Sequence, residues 1–439
     1  MNELSALVKS LIPGEKRYFS LLNSHYDREQ VPDHLELFHA LVRSNETSEK
    51  DFLKKHRNKS FARFFAANKH KLWQRVLNAL VHYHEEEVLS IRLRKQIAQA
   101  ELLFYRHFYE EADKLLLKTI DISHKASLHE LELDALNLLI RIYAQKSDDR
   151  FNHAVAQKRR LLRILDEIYQ YSELIIRLFE CMRIHAPQTA AGAESLSGLL
   201  AHKLLQPDYA PASVMAEVGR HSFYEQYYHT SGSKSEANID HSREILRLLT
   251  SNKWITEAYL PELTAVFMNN LSNYYLSRDA VRLAEVLKHA EEILHSGLSR
   301  SGYLPLMIDS MFVQGRLYLY NLEGNYDKAL KLEKQVMHFS NALLQAGHPR
   351  SYSLVYSFVM ACFLAGNYRK PVRVLAMTDA LKKQPYGDER FRQLNYLLMY
   401  CYLKTGNYEM LRSLLTMMKG ENKGENMSEA EKTLLALYH

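Results

Sequence analysis

Glycine and proline are scarce in this sequence, and their scarcity limits the possible fold classes. The 439 residues include 15 glycines and 10 prolines, and no glycine occurs between Gly14 and Gly192. A fold made of β-strands needs many tight turns, in which glycine and proline are preferred. Apolar residues recur with helical spacing instead, and no run alternates strictly between apolar and polar residues. The sequence therefore predicts an all-α fold.

Cysteines and long apolar runs are also in short supply. Cys181, Cys362 and Cys401 form no CxxC pair, and an odd count of three gives no disulfide framework. Free thiols fit a reducing compartment. No uninterrupted run of about 18 apolar residues predicts a transmembrane helix, and the N-terminus lacks the apolar core of a signal peptide. We therefore expect a cytoplasmic protein with no membrane partner.

The familiar motifs of catalysis and metal binding are missing as well. Neither G-x-G-x-x-G nor G-x-x-x-x-G-K-[ST] occurs, so the usual phosphate-binding loops are absent from the sequence. His129 and Glu130 begin like a zinc-protease helix, but Leu133 stands where the second histidine ligand belongs. The sequence thus predicts a protein that is not an enzyme, with no catalytic residues, cofactor or metal.

What the sequence does contain is a short repeat. The triplet Gly-Asn-Tyr begins at Gly324, Gly366 and Gly406, so its copies start 42 and 40 residues apart. Each copy separates two segments with helical apolar spacing. Glycine lets the chain turn at the end of a helix without steric penalty, and the tyrosine is placed to pack back against the helices.

The segment GNYDKAL at 324–330 resembles the inter-helix segment of tetratricopeptide repeats. The period of about 40–45 residues exceeds the 34 of that family, and Pro371 departs from the pattern where the first copy has Ala329. The resemblance implies a right-handed α-solenoid of helical hairpins, which binds a protein or peptide in its concave groove. Tetratricopeptide proteins use Asn and Arg to hold peptides, which points to Asn269, Asn270, Asn273 and Arg278 as groove residues.

The pattern along the chain predicts four segments. Residues 1–90 lack the repeat and are predicted to form a separate N-terminal helical domain. Residues 91–418 form the repeat array, 419–427 a polar loop, and 428–439 a C-terminal capping helix. A helical domain ahead of such repeats resembles the layout of bacterial peptide-responsive regulators.

Positive charge is concentrated in one short segment. The chain carries a formal net charge of +6, yet residues 50–76 alone carry nine Lys and Arg against one Asp, a net +8. Aromatic residues Phe61, Phe64, Phe65 and Trp73 interleave with helical spacing, which predicts that they form a buried face. The predicted basic patch consists of Lys54, Lys55, Arg57, Lys59, Arg63, Lys69, Lys71 and Arg75.

Three interpretations of the basic patch remain open. It binds nucleic acid through phosphate contacts, it binds an acidic protein or an acidic surface of the same chain such as Glu85–Glu87, or it only keeps the protein soluble. The first expectation for function is a non-enzymatic scaffold that binds a protein or peptide. The alternative is a regulator whose N-terminal basic helices bind nucleic acid while the repeats sense a partner.

Overall fold

The computed structural model describes residues 2–24, 32–44, 48–184, 190–231, 236–294, 305–345, 350–375 and 388–421. These residues form α-helices joined by turns and short irregular segments, with one short 3₁₀-helix at Lys203–Leu205 and no β-strand in the described ranges. The predicted all-α class is thereby confirmed for this part of the chain. Within it, no helix is long and apolar enough to cross a membrane.

The chain divides into two compact units. Unit 1 comprises residues 1–233, 247–260 and 298–303, and unit 2 comprises 234–246, 261–297 and 304–439. The predicted boundary at residue 90 therefore lies inside unit 1 and remains a prediction. Of the predicted C-terminal segments, residues 419–421 belong to the last helix, and the rest lie outside the described residues.

Unit 1 begins with six helices that share one hydrophobic cluster. Phe19, Phe38, Phe52 and Phe61 are among its fully buried side chains. The helices are α1 (Asn2–Ser10), α2 (Pro13–Ser24), α3 (Asp33–Arg43), α4 (Glu49–Lys55), α5 (Ser60–Arg63) and α6 (Phe65–His84).

Longer helices follow in unit 1, and each of α7 to α10 contacts the next. Two further clusters fill this part, one along α7 to α10 and one around Tyr171 and Phe223. The helices are α7 (Leu89–Tyr105), α8 (Tyr109–Lys125), α9 (His129–Lys146), α10 (Phe151–Ile184), α11 (Ala190–Leu200) and α12 (Val214–Thr230). The helices α13 (Glu236–Leu249), which runs from unit 2 into unit 1, and α14 (Lys253–Ala258) come next.

Unit 2 holds the remaining helices around a cluster that includes Phe358, Leu317 and Cys362. The pairs α16 with α17, α17 with α20 and α19 with α20 are in contact. The helices are α15 (Leu260–Leu276), α16 (Ala280–Leu294), α17 (Pro305–Leu322), α18 (Tyr326–Lys331), α19 (Glu333–Gln345), α20 (Arg350–Leu364), α21 (Arg369–Leu375), α22 (Asp388–Thr405) and α23 (Tyr408–Glu421).

The three repeated glycines sit in identical turns. Gly324, Gly366 and Gly406 have φ angles of +69°, +68° and +70°. The residue after each glycine donates its backbone N–H to the carbonyl five residues earlier, as in Asn367 to Cys362 at 2.9 Å. This bond closes the Schellman motif, which satisfies carbonyls that the helix end leaves unpaired.

Four further turns have the same geometry without glycine. His107, Ser127, Ser147 and Arg278 have φ angles between +50° and +65°, and each is followed by the same five-residue bond, at 2.9–3.0 Å. The Gly-Asn-Tyr pattern does not mark these turns, because they lack the repeated glycine. The same helix ending thus recurs in both units.

The shared turn predicts opposite effects of two substitutions. A Cβ on Gly366 meets nothing within 4 Å, so Gly366→Ala acts only through its positive φ. We expect Gly366→Ala to lower the free energy of unfolding by about 1 kcal/mol. Ser147→Gly relieves the strain of positive φ at a residue with a side chain. It should raise the free energy of unfolding by about 0.5 kcal/mol or more. Urea denaturation of both variants measures the two changes, and effects of equal sign would contradict this account.

Candidate functional site

The basic segment occupies α4, α5 and α6, where it borders an open cleft of about 850 Å³. We call this region the basic cleft. Arg57, Lys59 and Arg63 line it, and Asp33 is the acidic residue among the lining side chains. Lys54, Lys55 and Lys71 are exposed nearby on α4 and α6. The basic cleft therefore gathers cations on one surface of unit 1.

The predicted buried aromatic face is wrong for one of its residues, Phe64. Phe61 and Phe65 are buried and Trp73 is partly buried against the same cluster, as expected, but Phe64 is 68% exposed and lines the basic cleft. The cause is a break between two helices, because α5 ends at Arg63 and Phe64 has φ −123° and ψ 49°. The break takes Phe64 out of helical register, so it does not follow the buried stripe of Phe61 and Phe65.

Two cations of the segment form ion pairs inside unit 1. Lys59 Nζ lies 2.7 Å from a carboxylate oxygen of Glu36, and Lys69 Nζ lies 3.1 Å from one of Glu49. Exposed pairs of this kind contribute little to stability. The acidic run that the sequence suggested as counterpart is engaged elsewhere, since Glu85 lies 2.8 Å from Lys95.

Arg75, the last cation of the patch, points inward. Its Nη1 donates to Asn23 Oδ1 at 2.7 Å, and the ring of buried His34 lies 3.2 Å from the same oxygen. Burial, followed by the charges of Arg75 and Lys71, lowers the pKa of His34 to about 4. Arg75 thus helps to pack α6 against α2 and α3, and it is less accessible than Arg57 or Arg63.

The predicted groove residues do not share one role. Asn270 is buried, and its Nδ2 donates to the carbonyls of Ser242 and Val266 at 3.1 and 3.0 Å. It packs α15 against α13 rather than facing a partner. Arg278 is exposed in one of the recurrent turns, and Asn273 is half-buried. Asn269 lines a cavity bounded by α15, α17, α19 and α20.

A layer of buried polar side chains crosses unit 2 beside that cavity. Tyr275 and Tyr318 stack with ring centroids 4.2 Å apart. Gln314 Nε2 donates to Ser357 Oγ at 2.5 Å, and Asn321 Nδ2 donates to the Ser357 carbonyl at 3.1 Å. Buried polar groups cost free energy unless they are hydrogen-bonded, so this network fixes α17 against α20. No sequence motif indicated it.

The cysteines of unit 2 are packed in the hydrophobic core. Cys362 and Cys401 are fully buried, and burial raises their thiol pKa values to about 12 and about 11. A nucleophilic cysteine needs a lowered pKa, and burial shifts the pKa of both thiols in the opposite direction. Among the described residues, no group of three or more His, Cys, Asp and Glu side chains is arranged to hold a metal ion.

An exposed apolar line on α10 has no counterpart in the sequence predictions. Leu162, Tyr169 and Ile176 are 44%, 55% and 58% exposed. They lie seven residues apart, which places them on one side of the helix over about 21 Å. We call these three residues the α10 stripe. The signal that could have found it is their heptad spacing within a 34-residue helix that contains no glycine or proline.

The helices that pack against α10 hold it in place, and this fixes the position of the stripe. Other sides of α10 pack against α9, α11 and α12, and Leu161, Leu174 and Leu178 are buried there. The Tyr169 hydroxyl donates to Glu130 on α9, and this hydrogen bond raises the pKa of Tyr169. The stripe therefore presents three large side chains from a rigid element.

Comparison of the chain with protein-family models, curated proteins and solved structures gives no match.

The environment of His34 predicts a pH dependence of stability. Its pKa is about 4 in the fold against 6.5 for a free side chain. Between these values the unfolded chain binds a proton that the folded chain excludes, so stability falls as pH drops from 6.5 towards 4. We expect His34 to account for up to about 3 kcal/mol of this loss.

His34→Gln should flatten the dependence, measured by urea denaturation at several pH values from 4.5 to 7.5. The exposed His153 provides the control, and His153→Gln should leave the pH profile unchanged. If His34→Gln keeps the wild-type slope of unfolding free energy against pH, the assignment of this pH dependence to His34 is wrong.

Proposed function

We propose that the chain is a non-enzymatic scaffold that binds a protein partner. The observation that carries the proposal is the α10 stripe, because large apolar side chains set in a row on a rigid surface are typical of interaction sites. Isolated apolar side chains on a surface need no explanation. Three of them at heptad spacing lie in one row along about 21 Å of the helix, and this is the reason for assigning a partner to them.

The spacing of the stripe indicates the kind of partner. Residues seven apart occupy equivalent heptad positions, and such positions contribute to the contact line between two helices that pack side by side, with knobs of one helix filling holes of the other. We therefore propose that the partner presents an amphipathic helix. Exposed charged residues such as Arg159, Asp166 and Glu173 flank the stripe, and they would set the orientation of the incoming helix.

Recurrent turns support a scaffold of tetratricopeptide-like repeats, which the repeated Gly-Asn-Tyr triplet first suggested. Seven helix endings share one turn geometry, and consecutive helices such as α7, α8 and α9 are in contact. We propose that these pairs are the hairpins of a right-handed α-solenoid. Repeats of this kind bury their apolar faces against neighbouring repeats and leave long surfaces for binding.

Substitutions in the α10 stripe should abolish partner binding without unfolding the chain. Tyr169→Glu with Ile176→Glu places two charges in the stripe, whereas Asn152→Glu with Ala156→Glu places two on α10 about 100° or more away. Affinity capture from the native cell should yield a partner with wild type and control that the stripe variant loses. The partner should also bind as a purified protein, with at least a tenfold weaker affinity for the stripe variant.

Two results would contradict the proposal. One is a set of captured proteins that the stripe variant and the control retain equally. The other is a purified wild-type chain that light scattering shows as a dimer and the stripe variant as a monomer. The second result would make the occupant of the stripe another copy of this chain.

A second candidate function is nucleic-acid binding at the basic cleft. The observation in its favour is the exposed Phe64 beside Arg57, Lys59 and Arg63, since an aromatic ring among cations can stack on a base while the cations contact phosphates. Under this alternative the chain is a regulator, and its repeats sense a partner.

Gel mobility shifts with single-stranded RNA and with duplex DNA test this alternative at 50 and 200 mM salt. We expect binding that weakens steeply with salt. Arg57→Glu with Arg63→Glu should reduce the affinity at least tenfold, and Phe64→Ala should reduce it for single strands. The control is Lys114→Glu with Lys118→Glu, which reverses two exposed charges on α8. Absence of binding at 50 mM salt, or equal loss in the control, would reject the nucleic-acid function.

A further inference from the structure

A row of carboxylates runs beside the α10 stripe. Asp166, Glu173 and Glu180 are exposed on α10 and lie seven residues apart. Each of them follows one member of the stripe by four residues, as Glu173 follows Tyr169. Residues four apart are neighbours on a helix surface, so every apolar side chain of the stripe has a carboxylate next to it. We call Asp166, Glu173 and Glu180 the acidic row.

The stripe and the acidic row share one stretch of α10. Arg159 lies one heptad before the row and Arg183 one heptad after Ile176, and both are exposed cations. Between them, residues 162–180 extend over about 27 Å of helix. Phe179 lies three residues after Ile176 and is 49% exposed, so it adds apolar surface within this stretch. An apolar surface with a one-sided acidic border therefore covers the middle of α10.

The carboxylates of the row are available to a partner. Glu173 accepts a hydrogen bond from Arg177, yet the two side chains remain 56% and 55% exposed. Asp166 Oδ2 accepts from the side-chain amide of Gln170 at 2.7 Å. Within the described part of the chain, Glu180 forms no ion pair. Exposed pairs between residues one helical turn apart are weak, so an incoming cation can take part in them or replace them.

A fourth carboxylate reaches the stripe from the neighbouring helix α9. The Tyr169 hydroxyl donates to the carboxylate of Glu130, which is exposed. Four carboxylates thus border the stripe, although the chain as a whole carries a formal net charge of +6. The negative charge at the stripe is a local feature that runs against the overall charge of the protein.

We propose that the partner helix on the α10 stripe is basic, with Lys or Arg recurring every seven residues beside its apolar side. This inference rests on the proposed protein-binding function of the stripe and specifies the chemistry of the partner. Charged residues that flank the apolar contact line of two paired helices form salt bridges across it, and these salt bridges select the partner. The aliphatic stems of Lys and Arg also cover apolar surface while their charged ends reach the carboxylates.

The acidic row disfavours two other occupants of the stripe. A second copy of this chain would bring the same carboxylates to the contact. An acidic helix would likewise place negative charges beside Glu173 and Glu180. Like charges facing each other across an interface cost free energy and slow association. Of the three occupants, the basic helix alone gains attraction along the whole row.

Synthetic peptides and the full chain test the proposal directly. Three peptides of about 21 residues are long enough as helices to cover residues 162–180. The Lys peptide has a heptad stripe of Leu with Lys on both flanks, the Glu peptide has Glu on both flanks, and the scrambled Lys peptide has no stripe. Fluorescence anisotropy at 50 mM salt should show at least tenfold tighter binding of the Lys peptide than of the other two. At 500 mM salt this preference should shrink, because salt screens exposed charge pairs.

Reversing the acidic row should reverse the preference. Asp166→Lys, Glu173→Lys and Glu180→Lys in one chain should bind the Glu peptide more tightly than the Lys peptide. The neutral variant Asp166→Asn with Glu173→Gln and Glu180→Gln should lose the preference without reversing it. Helical circular dichroism checks that each variant is folded, and the neutral variant retains the test if the reversed one does not fold.

A matched control separates the row from net charge. It replaces three exposed carboxylates on α7 and α8 with lysine, namely Glu101→Lys, Glu111→Lys and Asp121→Lys. The change in net charge equals that of the reversed row, and the preference for the Lys peptide should remain. Tyr169→Ser with Ile176→Ser removes apolar surface without adding charge, and it should abolish binding of the Lys peptide.

Four outcomes would overturn the proposal: no binding of the Lys peptide, equal binding of the Lys and Glu peptides, a preference that the row variants retain, or Lys-peptide binding that survives loss of the stripe. Equal binding of both peptides that still depends on Tyr169 and Ile176 would leave helix docking in place and remove only the basic character of the partner. Capture of the natural partner is measured independently, so either proposal can fail alone.

Discussion

The architecture depends on one hydrogen bond that recurs at helix ends. A residue with positive φ reverses the chain, and the next backbone N–H reaches the carbonyl five residues back, as Asn325 does to Tyr320 and Phe108 to Leu103. This bond removes the cost of unpaired carbonyls and fixes the direction in which the chain leaves the helix. Because consecutive helices then lie in contact, each can bury the apolar stripe that it cannot bury alone.

The candidate binding surfaces lie where the regular succession of helices and recurrent turns is interrupted. α10 continues for 34 residues without such a turn, so its outer side presents the stripe around Tyr169. The break between α5 and α6 displaces Phe64 from the core and exposes it among cations.

Residue spacing predicted those features that depend on local geometry. Helical periodicity predicted the all-α class, and the glycine triplets predicted three turns, because both follow from backbone conformation over a few residues. The Gly-Asn-Tyr pattern does not mark the turns at His107 and Arg278, since a non-glycine residue adopts positive φ there under the constraint of packed helices.

The sequence by itself determined the helices, the glycine turns and the concentration of positive charge in residues 50–76. Tertiary structure alone decided which sides of those helices are covered. It buried Asn270 and left Tyr169 exposed, although both lie on amphipathic helices. It also paired Lys59 with Glu36, 23 residues before it in the chain, rather than with the acidic run Glu85–Glu87 that follows it. The physical reason is that burial and ion pairing depend on neighbours distant in the chain, whereas turns and helices depend on adjacent residues.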